Sequence, residues 1–259
     1  MENPSESSKL QEEKPFYIGP STQEQWLASG KLHSQAGDYK AALSAYEQVL
    51  RLDPQNASVF VLKGKALYCL ERNNEALAAY EQAIHLDSQS ALAYRNKGDV
   101  LYRLKRYKGA LAAYDRAIRL APTDVEPYNG RGYALNALKH YNEALKAFEK
   151  AITLDSTFAS AYRGRGDALY YLNNFEESIN AFEQAISLEP RFALAYNGKA
   201  SALISLKRYQ EALEAVDQAI SLEPDNVFPY YNKIRALEHL GRLEEAQQIR
   251  QRVDKLDPH

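Results

Sequence analysis

Four pairs of side chains in this chain have types and spacing that could do chemistry: Arg95 with Asp99, Asn129 with Tyr133, Arg163 with Asp167, and Asn197 with Ser201. Partners within a pair are four residues apart, and successive pairs follow at an interval of 34. The chemistry on offer is recognition. Arginine can clamp a carboxylate through two parallel hydrogen bonds. An asparagine amide can pair with both the N–H and the C=O of an extended main chain, and tyrosine supplies rigid amphipathic contact area. The same spacing also suits plain i, i+4 helix pairs, worth about 0.3–0.5 kcal/mol each. Bond-making machinery is missing from the sequence. The histidines, His33, His85, His140, His239 and His259, fall at unrelated places and form no i, i+4 pair. Cys69 alone cannot build a thiolate metal site. There is no glycine-rich phosphate loop and no GxSxG-like nucleophile turn. The sequence therefore predicts no enzyme, no cofactor and no metal.

What must position these pairs is a repeated unit. The stretch Tyr94–Pro122 reads as two short amphipathic helices joined by a polar corner. Shifted by 34 residues, Tyr128, Gly132, Leu135, Ala144, Phe148, Ala151 and Leu154 fall on Tyr94, Gly98, Leu101, Ala110, Tyr114, Ala117 and Leu120. A second shift brings Tyr162, Gly166, Leu169, Phe182, Ala185 and Leu188 into phase. Seven units begin near residues 23, 57, 91, 125, 159, 193 and 227 with no insertion. A fixed period of this length marks a solenoid of stacked supersecondary units. Glycine costs about 1 kcal/mol in a helix relative to alanine. Its return as Gly30, Gly64, Gly98, Gly132 and Gly166 predicts another backbone passing close by. In the second helix Ala110, Tyr114, Ala117 and Ile118 alternate small and large, so a ring can enter the space beside a neighbour's alanine. Tyr107 and its counterparts Tyr39, Tyr141, Phe175 and Tyr209 are expected to pack across the corner. Pro54, Pro122, Pro190 and Pro224 close the second helix, and Asp87–Ser88 and Asp155–Ser156 open the turn where proline is missing.

The aromatic–x3–Gly spacing, the alanine and aromatic of the second helix, the closing proline and Trp26 in the first unit resemble the tetratricopeptide repeat (TPR) over about residues 23–259. The resemblance implies an all-α, right-handed superhelical solenoid of seven helix–turn–helix units. It implies that the first helices line a concave groove that holds an extended peptide or a partner's helix. The residues one and five after each opening aromatic would face that groove: the four pairs above, with Lys31, Lys65 and Arg235 in the outer units. A turn later come Tyr68, Tyr102, Asn136 and Tyr170. The Lys/Asn set with which chaperone-binding members clamp a C-terminal carboxylate is not in place, since the first unit offers Leu27 and Lys31. An asparagine ladder of the longer peptide-holding members is in phase only at Asn96 and Asn232. The family's leucine before the glycine is replaced by Lys63, Lys97, Arg131, Arg165, Lys199 and Lys233, predicting a line of positive charge, either a solvated rim or a track for phosphate or acidic peptide. In the last unit Arg250 and Asp254 make one flank of the final helix polar, as expected of an end repeat.

The rest of the sequence restricts the partner only broadly. With 32 Lys and Arg against 34 Asp and Glu, the net charge of −2 gives no reason to expect nucleic acid. No apolar run approaches the ~18 residues of a membrane span, the N-terminal stretch has no secretory pattern, and one cysteine fits a reducing compartment. A cytoplasmic protein is expected, with residues 1–22 a disordered or loosely packed tail in which Phe16, Tyr17 and Ile18 fold back on the first helix. The function expected is a non-catalytic scaffold binding protein or peptide. Two other readings are the recognition subunit of an enzyme or secretion complex, and a structural solenoid stacking end to end through Trp26 and Leu27. A monomer is the expected state. Arg163→Glu combined with Asn129→Ala is expected to abolish partner capture while leaving the melting temperature unchanged.

Overall fold

In five of the seven units the first helix starts at a short polar side chain that caps it. Thr22, Asn56, Ser90, Asp124 and Asn226 accept from backbone N–H groups of the first turn, and Thr22 completes a capping box with Gln25. Phe158 and Phe192 hold this place in the fifth and sixth units without a side-chain cap. The resulting helices are α1 (Gln23–Gln35), α3 (Ala57–Cys69), α5 (Ala91–Arg103), α7 (Val125–Ala137), α9 (Ala159–Tyr171), α11 (Ala193–Ser205) and α13 (Val227–His239). Each ends in a left-handed residue: Gly37, Glu71, Lys105, Lys139, Asn173, Lys207 or Gly241. At the second corner Arg72 N–H donates to Leu67 O and Glu71 N–H to Tyr68 O, the pairing of a Schellman motif, and the other corners follow suit.

The second helices are α2 (Tyr39–Leu52), α4 (Asn73–Leu86), α6 (Tyr107–Leu120), α8 (Tyr141–Leu154), α10 (Phe175–Leu188), α12 (Tyr209–Leu222) and α14 (Leu243–Leu256). Four of them, α2, α6, α10 and α12, end two residues before Pro54, Pro122, Pro190 and Pro224, whose ring cannot continue a helix. Where proline is missing, Asp87 and Asp155 accept the N–H two residues on, at 2.9 and 2.8 Å. The hydroxyls of Tyr128, Tyr196 and Tyr230 reach back six residues to the carbonyls of Pro122, Pro190 and Pro224, tying the turns after α6, α10 and α12 to α7, α11 and α13.

The computed structural model describes residues 22–257 of the chain. The tail expected at 1–22, with Phe16, Tyr17 and Ile18, lies outside the described residues apart from Thr22, as do Pro258 and His259. Among the described residues there are fourteen helices in tandem and no strand. Every helix packs on the next, and from α3 onward each first helix also touches the first helix of the following unit. No two second helices make comparable contact. The stack is thus an α-α solenoid with its first helices on the inner wall and its second helices outside.

The core is a row of aromatic rings in glycine slots. A Cβ added at Gly30, Gly64, Gly98, Gly132 or Gly166 would come within 2.5–2.7 Å of the ring of Tyr46, Tyr80, Tyr114, Phe148 or Phe182, sixteen residues on in the same unit. The expectation of a crossing backbone is corrected: the close neighbour is a buried ring. A second glycine, in the next unit, closes the other side, because Cβ atoms at Gly130, Gly164 and Gly198 would strike Tyr114, Phe148 and Phe182. In the sixth unit Ala200 replaces the glycine, and the residue in ring phase is the smaller Val216, buried in the same cluster.

The basic line is corrected too. Lys63, Lys97, Arg131, Lys199 and Lys233 each pair with an acidic residue sixteen positions earlier on the preceding second helix: Glu47, Glu81, Asp115, Glu183 and Asp217, at 3.2, 2.9, 2.8, 2.6 and 2.6 Å. Five of the six charges are thus matched between units, and the line is for the most part a ladder of ion pairs; Arg165 forms no ion pair among the described residues, and its Nε is buried without a partner. Each rung is solvent-facing and worth about 0–1 kcal/mol.

Candidate functional site

The inner wall carries four adjoining cavities that share lining residues from α3 to α11. The first, about 460 Å³, is lined by Lys65, Tyr68, Arg95 and Asp99 together with Asn96 and Leu92. The next, about 170 Å³, shares Tyr68 and Asp99 and adds Tyr102, Asn129 and Tyr133. A third of about 460 Å³ contains Asn136, Arg163 and Asp167, and the fourth, about 180 Å³, contains Tyr170, Asn197 and Ser201. Thirteen of the fifteen sequence-derived residues therefore lie along one surface. Lys31 is exposed on α1 and Arg235 hydrogen-bonds Asn232; neither lines these four cavities.

Helical periodicity explains why they share a wall, since positions one and five after the aromatic and the residue one turn later lie on one face. The same face extends a turn toward the N-terminus. Leu92, Glu126 and Leu194, each three residues before Arg95, Asn129 and Asn197, line the cavities as well. The sequence reading missed these, although the i, i+3 rule that placed the others also places them. It missed Tyr141 and Tyr171 too, whose rings stack at 4.9 Å at the edge of the third cavity.

The two Arg/Asp pairs behave differently. Arg163 and Asp167 form the expected i, i+4 pair, with both Nε and Nη2 of Arg163 donating to one carboxylate oxygen at 3.1 and 2.7 Å. The guanidinium also lies over the Tyr133 ring, 4.9 Å from its centroid. Arg95 does not pair with Asp99. It turns to Asp124, the cap of α7, at 3.3 Å. At the corresponding place after Arg163 the cap residue is Phe192, which offers no carboxylate. Asp99 keeps only the Tyr114 hydroxyl, which donates at 2.8 Å. Burial then raises the Asp99 carboxyl to about 6, against the lowering effect of the Tyr114 hydrogen bond and of Arg95.

Arg163→Glu is consequently no neutral probe of the wall. It would set two carboxylates together at a desolvated place, so the expectation of an unchanged melting temperature is withdrawn. The asparagines are partly engaged as well. Asn129 donates to Ser160 Oγ at 3.3 Å and Asn136 to Gly164 O at 3.4 Å, but the Oδ1 of each is buried without a partner. Tyr133 donates to Ser160 O at 2.7 Å. Asn232 donates to both Asn197 Oδ1 and Ser201 Oγ, at 2.8 and 2.9 Å, which closes the C-terminal part of the wall on itself. Among the residues lining these cavities, unmet polar capacity lies from α5 to α7, at Asp99, Asn129 and Asn136; the other buried unpartnered atoms, Asn73 Oδ1 and Arg165 Nε, line none of the four. Among the described residues no group of three or more His, Cys, Asp and Glu could hold a metal ion, and no helix is long and apolar enough to cross a membrane.

Family models described as tetratricopeptide repeat match residues 61–125 and 163–227, 125–158, and 203–259, and a TPR repeat model matches 30–70. No protein of curated function matches the sequence. Among solved structures the chain is similar to MamA, at 26% identity and TM-score 0.58 over 65% of this chain and 92% of that one. It is similar to YrrB, a TPR protein with an unusual peptide-binding site, at 24% identity and TM-score 0.57 over 74% and 99%. A tetratricopeptide repeat protein from Parabacteroides merdae aligns over 90% and 93% at 18% identity with TM-score 0.74.

Proposed function

This chain belongs to the tetratricopeptide repeat family, and from that premise we propose that it is a non-catalytic scaffold whose inner wall, from α3 to α11, binds an extended segment of a protein partner. One observation carries the reading: the unmet acceptors Asn129 Oδ1 and Asn136 Oδ1 sit among tyrosine rings on a wall of four joined cavities. Buried polar atoms without partners cost about 1–3 kcal/mol each, and an extended segment toward which these amides turn would satisfy them with its main-chain N–H groups. Tyr68, Tyr102, Tyr133 and Tyr170 supply area at little entropic cost. A segment lying along the wall, rather than a compact ligand in one pocket, suits cavities that adjoin and share lining residues.

The test is selection from a random linear-peptide display library on the folded chain, followed by amide chemical-shift mapping with one retained peptide. Shifts confined to α3, α5, α7, α9 and α11 support the assignment. Shifts on the second helices, or no retained peptide, overturn it.

A further inference from the structure

The 170 Å³ cavity between α3, α5 and α7 differs from its neighbours in charge. The first cavity has Lys65 and Arg95 in its lining, the third Lys139 and Arg163, the fourth Arg163. This one has no cation at all, but two carboxylates, Asp99 and Glu126. Both lack a cationic partner. Arg95, one turn from Asp99, is drawn off by Asp124, and Glu126 is exposed and forms no ion pair among the described residues. Around them stand the rings of Tyr68, Tyr102 and Tyr133. Asn129, 8% exposed, also lines the cavity, and its Oδ1 has no hydrogen-bond partner.

We propose that this cavity is the specificity pocket of the wall and takes one lysine or arginine side chain of the bound segment. The proposal rests on the wall-binding reading above. Each element of the cavity suits a cation and little else. Burial pushes the Asp99 carboxyl up only to about 6, still below neutral pH, and its one hydrogen bond comes from the neutral Tyr114 hydroxyl. An ammonium or guanidinium brought beside it supplies the countercharge that Arg95 withholds. Glu126 at the lip contributes the second charge, and Asn129, once its amide turns toward the cavity, offers Oδ1 to a further N–H. Tyrosine faces attract cations within about 6 Å. The wall already shows this preference on its own arginines, with Arg103 4.7 Å from the Tyr68 centroid and Arg163 4.9 Å from that of Tyr133. An acidic side chain is excluded by two carboxylates, and an apolar one would leave Asp99 and Asn129 buried without compensation.

The display selection, repeated on parent and on the double variant Asp99→Asn with Glu126→Gln, decides the matter. The amide oxygen that the first substitution introduces still accepts from the Tyr114 hydroxyl, so the fold is retained; circular dichroism checks this. Peptides from the parent are expected to carry a lysine or arginine at one fixed position, and those from the variant to lose that preference. Acetylating that lysine, or replacing that arginine with citrulline, in a synthetic parent-selected peptide should weaken binding to the parent about tenfold and leave binding to the variant unchanged. Retained peptides without a basic position, or equal losses in parent and variant, overturn the cation pocket while wall binding stands. If no peptide is retained, both readings fall.

Discussion

A carboxylate on this wall is either paired or left without a countercharge, and a residue 25 positions further along decides which. Asp167 keeps Arg163 because Phe192, at the N-terminal position of α11, offers no carboxylate; Asp99 loses Arg95 because Asp124 caps α7. The second arrangement leaves a charge that the folded state must hold at a cost. Facing Asp99 are Arg95 on its own helix, Tyr114 on α6, Glu126 and Asp124 at the start of α7, and Tyr68 and Tyr80 on the preceding unit. Its carboxyl is raised from 3.8 to about 6, so the native state binds the proton more tightly than the unfolded chain does. Stability from this group is present at low pH and is lost as pH rises between about 4 and 6. Asp99→Asn removes the penalty and should raise stability at neutral pH by on the order of 1–2 kcal/mol, a few degrees in melting temperature. At about pH 4, where Asp99 is protonated in the native state, parent and variant should melt together. Thermal melts at the two pH values check this; a variant that melts lower at neutral pH would mean that the Asp99 charge is already compensated.

At the scale of the helix pair, the corner was only half legible in the sequence. Gly37 and Gly241 mark the left-handed position in the first and last units, but Glu71, Lys105, Lys139, Asn173 and Lys207 occupy it between them. Nothing about a lysine announces a positive φ; only the 34-residue register, carried through from the two glycines, does so. An L-residue in the left-handed region costs about 1–2 kcal/mol, against about 0.5–1 kcal/mol for the extra unfolded-state freedom of glycine. Lys139→Gly should therefore stabilise the chain by roughly 0.5–1 kcal/mol. Asn173→Gly should gain less, because asparagine tolerates this conformation better than lysine. Urea midpoints at constant slope measure both. The rank order is the sharper test, since reversal would show that side-chain contacts, not the backbone, set the cost at the corner. The glycine slots were misread for a related reason. Spacing shows that something comes close, but a ring sixteen residues away and a crossing main chain demand the same small residue.

Over the whole solenoid, what could be read and what could not divide by range. Each unit touches only its neighbours, so one period of sequence contains almost every contact in the core, and the fold follows from Tyr94–Pro122 repeated. The state of the inner wall depends instead on where the units differ: a cap that is Asp124 or Phe192, a ring that is Tyr114 with a hydroxyl or Phe182 without. The nearest-neighbour construction also governs how the chain comes apart. Phe148 is fully buried and belongs to two units at once, held by Gly132 of its own and Gly164 of the next. Phe148→Ala should cost about 3–5 kcal/mol, and the loss falls at the interface between the fourth and fifth units. In a one-dimensional array, stability is a sum of unit and interface energies, so weakening one central interface uncouples the two sides. Native-state hydrogen exchange of the variant should then resolve two cooperative blocks meeting between α8 and α9, where the parent exchanges most slowly in its middle and fastest at α1 and α14. Those ends are the least anchored helices, with Gly30 the one buried residue of α1 and Ala246 and Val253 the two of α14. Uniform loss of protection along all fourteen helices, with a single transition preserved, would instead show that cooperativity reaches beyond the neighbouring unit and that no one ring holds the halves together.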